Sequence, residues 1–293
     1  MAMQGRSILV FLLVGAIWGS EWIVTRRLDS APLGALALRY AIAAILLRVA
    51  ALVLRARRPS PQEMAIAAIT GICLAGLPVL LIGWASGRMS PGLLVVILAM
   101  TPLLAALMEG NASGGLLAAL VGGVAGTALL AAKGLSFALT QWAGASAALL
   151  AAVLVAECVL LMKQKLAGVA AVPLAAYQLS AAAVVIALWS WFAEGRAGFN
   201  LDRRLVTTEA VLAVVGGAVA QPLYCWLLRA MECFQLTASQ WVATVAGVGE
   251  GLLLVRERPG WRMVAGGVIL VASLAALLRV RGSEEKPVTL TLT

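Results

Sequence analysis

The alternation of apolar and polar positions resolves the chain into long apolar runs separated by short charged or Pro/Gly-bearing breaks. The runs lack the period-two alternation of a lipid-facing β-strand. Ten of them approach the ~20 residues that an α-helix needs to cross a bilayer. They cover residues 8–25, 33–54, 63–86, 91–108 and 114–132, then 143–161, 173–193, 208–229, 236–255 and 260–279. Backbone polar groups find no water in hydrocarbon, so spans of this kind must satisfy their own hydrogen bonds as helices. The pattern predicts an all-α integral membrane protein with ten transmembrane helices. The first run is followed by Arg26 and Arg27 rather than a small-residue cleavage site, so it is read as a retained helix. The polar residues 282–293 are expected to form a disordered cytoplasmic tail.

The runs fall into two sets of five that echo each other. The first helix of each set carries a glutamate and then a basic cluster: Glu21 before Arg26-Arg27-Leu28, Glu157 before Lys163-Gln164-Lys165-Leu166. The second opens on Pro32 or Pro173. The third has a mid-run proline, Pro78 or Pro222, after Gly71 or Gly216. The fifth has paired glycines, Gly122-Gly123 or Gly266-Gly267. Four matches in one order, at offsets of roughly 140 residues, indicate an internal repeat. Five is odd, so the two copies must cross the membrane in opposite senses. The expected units are residues 1–136 and 137–281, an inverted repeat around a central cavity. Such a fold offers two mirror-like states open to opposite sides, which points to a transporter.

Composition supports the membrane class. Of 293 residues 62% are hydrophobic and 12% charged, too little polar surface for a soluble protein of this size. The net charge of +9 would suit nucleic acid, but the Lys and Arg residues flank apolar runs, where they meet headgroups. No nucleic-acid partner is expected. Sidedness is weakly written. With both termini cytoplasmic, eleven basic residues fall inside and ten outside, and the dense block Arg55–Arg58 favours the inside. Cys73, Cys158, Cys225 and Cys233 are scattered and read as small buried hydrophobes. There is no histidine, no phosphate-binding G-x-x-x-x-G-K and no nucleophile–base pair, so neither a metal site, a cofactor nor an enzymatic reaction is expected.

Short stretches in a fixed order resemble the drug/metabolite transporter superfamily, specifically its ten-helix EamA-type exporters. They are Trp18-Gly19-Ser20, Pro32 followed by Leu38-Arg39-Tyr40, Thr101-Pro102, Arg256-Glu257-Arg258, and the Gly266-Gly267-Val268 helix. Within that group the chain looks most like the YddG-type exporters of aromatic amino acids. The resemblance implies cytoplasmic termini in an inner membrane, a central cavity, and gating by the third and fourth and the eighth and ninth helices. The chain departs from the family pattern at Glu21, Glu109 and Thr244.

Polar groups inside the runs are the candidates for chemistry, since a charge in mid-bilayer costs about 2.5–3.5 kcal/mol on insertion scales. Arg39 could contact a substrate carboxylate or form a structural ion pair with Glu21 or Glu157. Glu21 and Glu157 could carry protons or neutralise nearby basic residues. Thr237, Gln240, Thr244 and Gly247 form a polar stripe at helical spacing, facing either a cavity or a neighbouring helix. Glu250 lies off that stripe, as a gate or interhelix hydrogen bond. Trp18 and Trp22 share a helix face. Tyr40, Tyr177 and Tyr224 lie within spans, where they could line a cavity and stack on an amphipathic ligand, with Gln178 hydrogen bonding. Trp142, Trp189, Trp191 and Trp261 suit the membrane interface. Pro78, Pro102, Pro222 and Gly247 are candidate gating positions. These residues suggest a carrier for a small metabolite, best an amino acid, acting as a monomer. Proton-driven drug export, a channel and a lipid-modifying enzyme are the alternatives.

Overall fold

The computed structural model describes residues 5–26, 32–111, 113–136, 138–254 and 260–280. The side chains of 22, 23, 25, 26 and 251–254 are outside that description, as are the Trp22 face, Arg26-Arg27-Leu28, Arg256-Glu257-Arg258 and the 282–293 tail. The described residues are helical and contain no strand. They form α1 (Gly5–Arg26), α2 (Leu33–Val53), α3 (Pro61–Ser86), α4 (Pro91–Met108) and α5 (Gly114–Leu130). There follow α6 (Trp142–Leu166), α7 (Ala171–Glu194), α8 (Arg203–Leu227), α9 (Cys233–Thr237 continuing after Ala238 as Ser239–Leu254) and α10 (Trp261–Arg279). Seven helices among the described residues are long and apolar enough to cross a bilayer, and Gly114–Leu130 is a shorter apolar helix. By length and composition this is a multi-pass membrane protein.

Local chemistry sets the helix ends. Ser60 caps α3 in a capping box with Glu63, with Pro61 in the first turn. Ser90 caps α4 ahead of Pro91, and the Asp202 side chain accepts from Leu205 N at 2.6 Å to start α8. The repeat-related prolines are handled alike. Pro78 and Pro222 each follow a π-helical segment, Ile72–Gly76 in α3 and Ala213–Ala220 in α8. The wider turns accommodate a residue that has no N–H and crowds the preceding carbonyl. In α4 the helix breaks at Ala99 and Met100. Pro102 deprives Leu98 of its helical donor, and Thr101 Oγ1 donates to the Leu98 carbonyl instead, at 2.6 Å.

The packing is mostly between the two sets of five. Helices α2 and α7 pack along their length, as do α5 and α10. Exchanging each helix with the one five places on maps the principal contacts onto themselves: α1·α9 becomes α6·α4, α1·α8 becomes α6·α3, and α2·α8 becomes α7·α3. The helix ends fix the relative sense. Arg6, at the start of α1, lies over the Trp226 ring at the end of α8. Lys163, near the end of α6, donates to Met231 O at 2.9 Å and pairs with Glu232, in the link after α8. The start of α1 and the end of α6 are therefore at one end of the bundle, and the two helices run oppositely.

Small residues permit the closest approaches. A Cβ on Gly126 would sit 2.8 Å from Leu270 N, and one on Gly266 2.7 Å from Gly126 O, so α5 and α10 meet backbone to backbone. On α1, a Cβ on Gly19 would lie 2.6 Å from Ala243 O of α9. The exchange relation fails most clearly between α4 and α9. The Thr101–Met108 half of α4 packs on Cys233–Thr237 of α9, but no comparable packing joins Pro91–Leu98 to Ser239–Leu254 among the described residues. The bundle is tied together at the end that holds the start of α1.

Candidate functional site

The charged centre sits where α1, α2 and α8 meet. Arg39 is 6% exposed. Its Nε donates to Glu209 Oε2 at 2.5 Å, its Nη2 to Glu209 Oε1 at 3.1 Å, and its Nη1 to Glu21 Oε2 at 3.2 Å. The fork-on-carboxylate geometry with Glu209 fixes the guanidinium plane. Glu209 is almost fully buried, while the Glu21 side chain keeps a fifth of its surface. The sequence left Arg39 either a substrate carboxylate or an ion pair with Glu21 or Glu157. The second partner is Glu209, because Glu157 is exposed on α6 while Glu209 lies on the α8 face against α2. Gly216 explains why Glu21 fits: a Cβ there would lie 1.4 Å from Glu21 Oε1, so the carboxylate occupies the space that glycine leaves on α8.

One turn back along α1, Trp18 packs against Tyr224 of α8 with ring centroids 5.1 Å apart. Trp18 and Tyr40 are partly accessible and Tyr224 is buried. Deeper in the bundle, Gln178 is wholly buried and fully engaged. Its amide nitrogen donates to Thr70 Oγ1 at 3.0 Å, and its carbonyl accepts from Gln221 Nε2 at 3.1 Å and from Cys225 Sγ at 3.3 Å. Cys158 Sγ donates to the Thr70 carbonyl at 3.2 Å. A Cβ on Gly71 would meet Gln178 O at 2.2 Å, so α3 and α7 touch here. This closed amide network ties four helices and spends its polar atoms on itself.

The stripe on α9 divides. Thr237 is buried and returns its hydroxyl to Cys233 O and Phe234 O. Gln240, Thr244 and Gly247 are half-buried, with Thr244 bonded to Gln240 O. Glu250 accepts from Ser20 Oγ of α1 at 2.5 Å, an interhelix hydrogen bond. Tyr177 is apart from the rest, on the outer α2–α7 seam beneath the Arg48 guanidinium. The structure thus brings together Trp18, Glu21, Arg39, Tyr40 and Tyr224 along α1, α2 and α8, while the Gln178 and Thr237 side chains hydrogen-bond within the protein.

Two residues central to the geometry have no place in the sequence reading. Glu209 sits in the first turns of α8, just inside the 208–229 span. Trp241 is fully buried, donates from Nε1 to the Ala99 carbonyl at the α4 break at 3.0 Å, and lays its ring on Gly123 of α5. At the same end of the bundle, Glu109 Oε1 accepts from Cys233 N at 3.1 Å, capping α9 from the end of α4. Lys163 pairs there with Glu232.

Comparison with known proteins adds a family match over part of the chain and a fold. Residues 5–132 match the EamA-like transporter family. That match covers α1 to α5, the first of the two sets that exchange with each other. No curated protein matches the chain. A solved crystal structure superposes with a TM-score of 0.78 at 18% identity, over 93% of this chain and 96% of the other, which supports the same fold throughout.

Proposed function

We propose that the chain is a secondary carrier that moves small metabolites out of the cell by alternating access, with residues 1–136 and 137–281 as inverted halves. One observation carries this reading: the principal helix contacts exchange between halves, while α4 and α9 meet at one end alone among the described residues. A carrier needs this arrangement, because the contacts closing one end must be re-formed by their counterparts at the other. The EamA-like match over the first half supports the transporter class. In this reading the closed end holds the start of α1, is cytoplasmic, and is shut by Trp241–Ala99, Glu109–Cys233 and Lys163–Glu232. The chain acts as a monomer in the inner membrane.

Amino acids, aromatic or apolar, are the substrates the site suits best. Trp18 and Tyr40 offer partly accessible rings, and Gln240 and Thr244 partly accessible polar groups. Arg39 already holds two carboxylates, so a substrate carboxylate reaches it only by displacing Glu21. The test is uptake into liposomes holding the purified protein, screened with labelled amino acids, amines and nucleotide sugars, with and without a pH gradient. Saturable counterflow of an apolar or aromatic amino acid is expected. Ion conductance without saturation, or no accumulation above empty liposomes, overturns the reading.

A further inference from the structure

Arg48 lies on the outer face of the bundle. It is exposed on α2 in a row with Ile45, Val49 and Leu52, which are 61%, 53% and 67% exposed. The spacing i, i+3, i+4, i+7 places all four on one helical stripe. An apolar stripe of this kind faces lipid, and a cation in it is costly without a partner. The guanidinium donates to Ser180 Oγ at 2.9 Å and lies over the Tyr177 ring at 5.7 Å, both on α7. Neither group carries a negative charge, and no ion pair to Arg48 exists among the described residues. The cation is held in place and left uncompensated on a surface that touches acyl chains.

A second group of cations stands above it. Arg57, Arg58 and Pro59 of the α2–α3 link line a surface pocket with Glu63 and the 168–170 link before α7. Glu63 is engaged with Ser60 N in the capping box and lies within electrostatic range of Arg57, but neither Arg57 nor Arg58 makes a hydrogen bond or salt bridge among the described residues. The link that lines it is held in place: Arg229 donates to the carbonyls of Ala167, Gly168 and Val169. Ala170 and Tyr177 are seven residues apart, hence on the same face of α7 and separated by about 10 Å of helical rise. The pocket and the Arg48–Tyr177 pair therefore lie toward the same end of the α2–α7 seam.

We propose that this seam is a binding site for the headgroup of an anionic phospholipid, held between Arg57 and Arg58 above and Arg48 below, with its acyl chains along Ile45, Val49 and Leu52. The proposal rests on the membrane-spanning reading but not on any substrate. A phosphate compensates the cations, and only a lipid brings one to the depth of Arg48 while covering the apolar stripe around it.

The test is native mass spectrometry of the purified full-length chain with equal amounts of phosphatidylglycerol and phosphatidylcholine of matched chains. Preferential retention of phosphatidylglycerol is expected. Arg48→Gln should lower it about fivefold, and Arg57→Gln/Arg58→Gln by that factor for each cation removed, corresponding to about 1 kcal/mol per basic residue. Arg203→Gln/Arg204→Gln, at the opposite end, should leave it unchanged. The Arg57/Arg58 variant lies on an exposed link and reads the site even if Arg48→Gln fails to fold. Equal retention of both lipids, or no effect of the Arg57/Arg58 change, overturns the proposal. Displacement of the lipid by inorganic phosphate assigns the site to a soluble anion and overturns it too. Lipid retention is read without transport, so its failure leaves the carrier reading standing, and a failed uptake assay leaves the lipid site standing.

Discussion

Removing the Glu209 carboxylate should cost the fold more than any surface charge, and a double-mutant cycle with Arg39 measures why. Both side chains are nearly excluded from solvent, at 8% and 2% exposure, and are joined by two hydrogen bonds. Breaking a buried ion pair by removing one partner costs about 3–5 kcal/mol, because the remaining charge stays in a low-dielectric site. Glu21 still holds Arg39 in a Glu209→Met variant, which places the single change near the lower bound. Arg39→Met/Glu209→Met removes both charges and should recover part of the loss, giving a coupling of about 2–4 kcal/mol. An average interhelical hydrogen bond in a membrane protein couples by only about 0.6 kcal/mol, so the two descriptions separate clearly. The assay is reversible unfolding in mixed detergent micelles with increasing dodecyl sulfate, for the wild-type chain, both single variants and the double. Additive losses, or a coupling at or below about 0.6 kcal/mol, would refute the description of Arg39–Glu209 as a desolvated ion pair.

Other substitutions probe the helix contacts. Gly126→Val places atoms where Leu270 N and Gly266 O stand, and backbone cannot yield, so a loss of about 1–3 kcal/mol or more in the same unfolding assay is expected; Gly249→Ala, with open space around it, should be neutral within about 0.5 kcal/mol. Trp241→Phe leaves the buried Ala99 carbonyl without its donor and should cost about 1–3 kcal/mol, read by unfolding and by increased labelling of Cys233 from the terminus-bearing side. Lys163→Met removes a pair whose side chains are 28% and 36% exposed, so stability should change by no more than about 1 kcal/mol.

Much of the architecture is legible in the sequence because it follows from apolar run length and from proline and glycine placement. The fourth span, 91–108, coincides with α4, and the prolines aligned between the two sets both prove to follow π-helical turns. The start of α8 is less legible. Its first turns read Arg203-Arg204-Leu205-Val206-Thr207-Thr208-Glu209, a polar stretch that an apolar-run criterion places mostly outside the helix. Glu209 falls just inside the 208–229 span, but its partner Arg39 lies 170 positions away and nothing local reports the pairing. Gln178 shows how a local pattern leaves a polar group's partner open. A polar side chain inside a span suggests a cavity, yet its hydrogen bonds to Thr70, Gln221 and Cys225 satisfy it within the protein. Trp241 carries no pattern signal either, because a buried indole in mid-helix looks like any large apolar residue until the broken carbonyl at Ala99 is seen beside it.

The opposed direction of the two halves is tested most directly by single cysteines placed at Arg57, Arg88, Gly168 and Arg196, all exposed in helix links, in a chain whose four native cysteines have been replaced. In sealed vesicles with the N-terminus tagged, an impermeant maleimide should reach positions 57 and 168 from the side that carries the tag and positions 88 and 196 from the other. Labelling of position 168 from the side opposite the tag would mean that α1 and α6 run in the same sense, which contradicts the account.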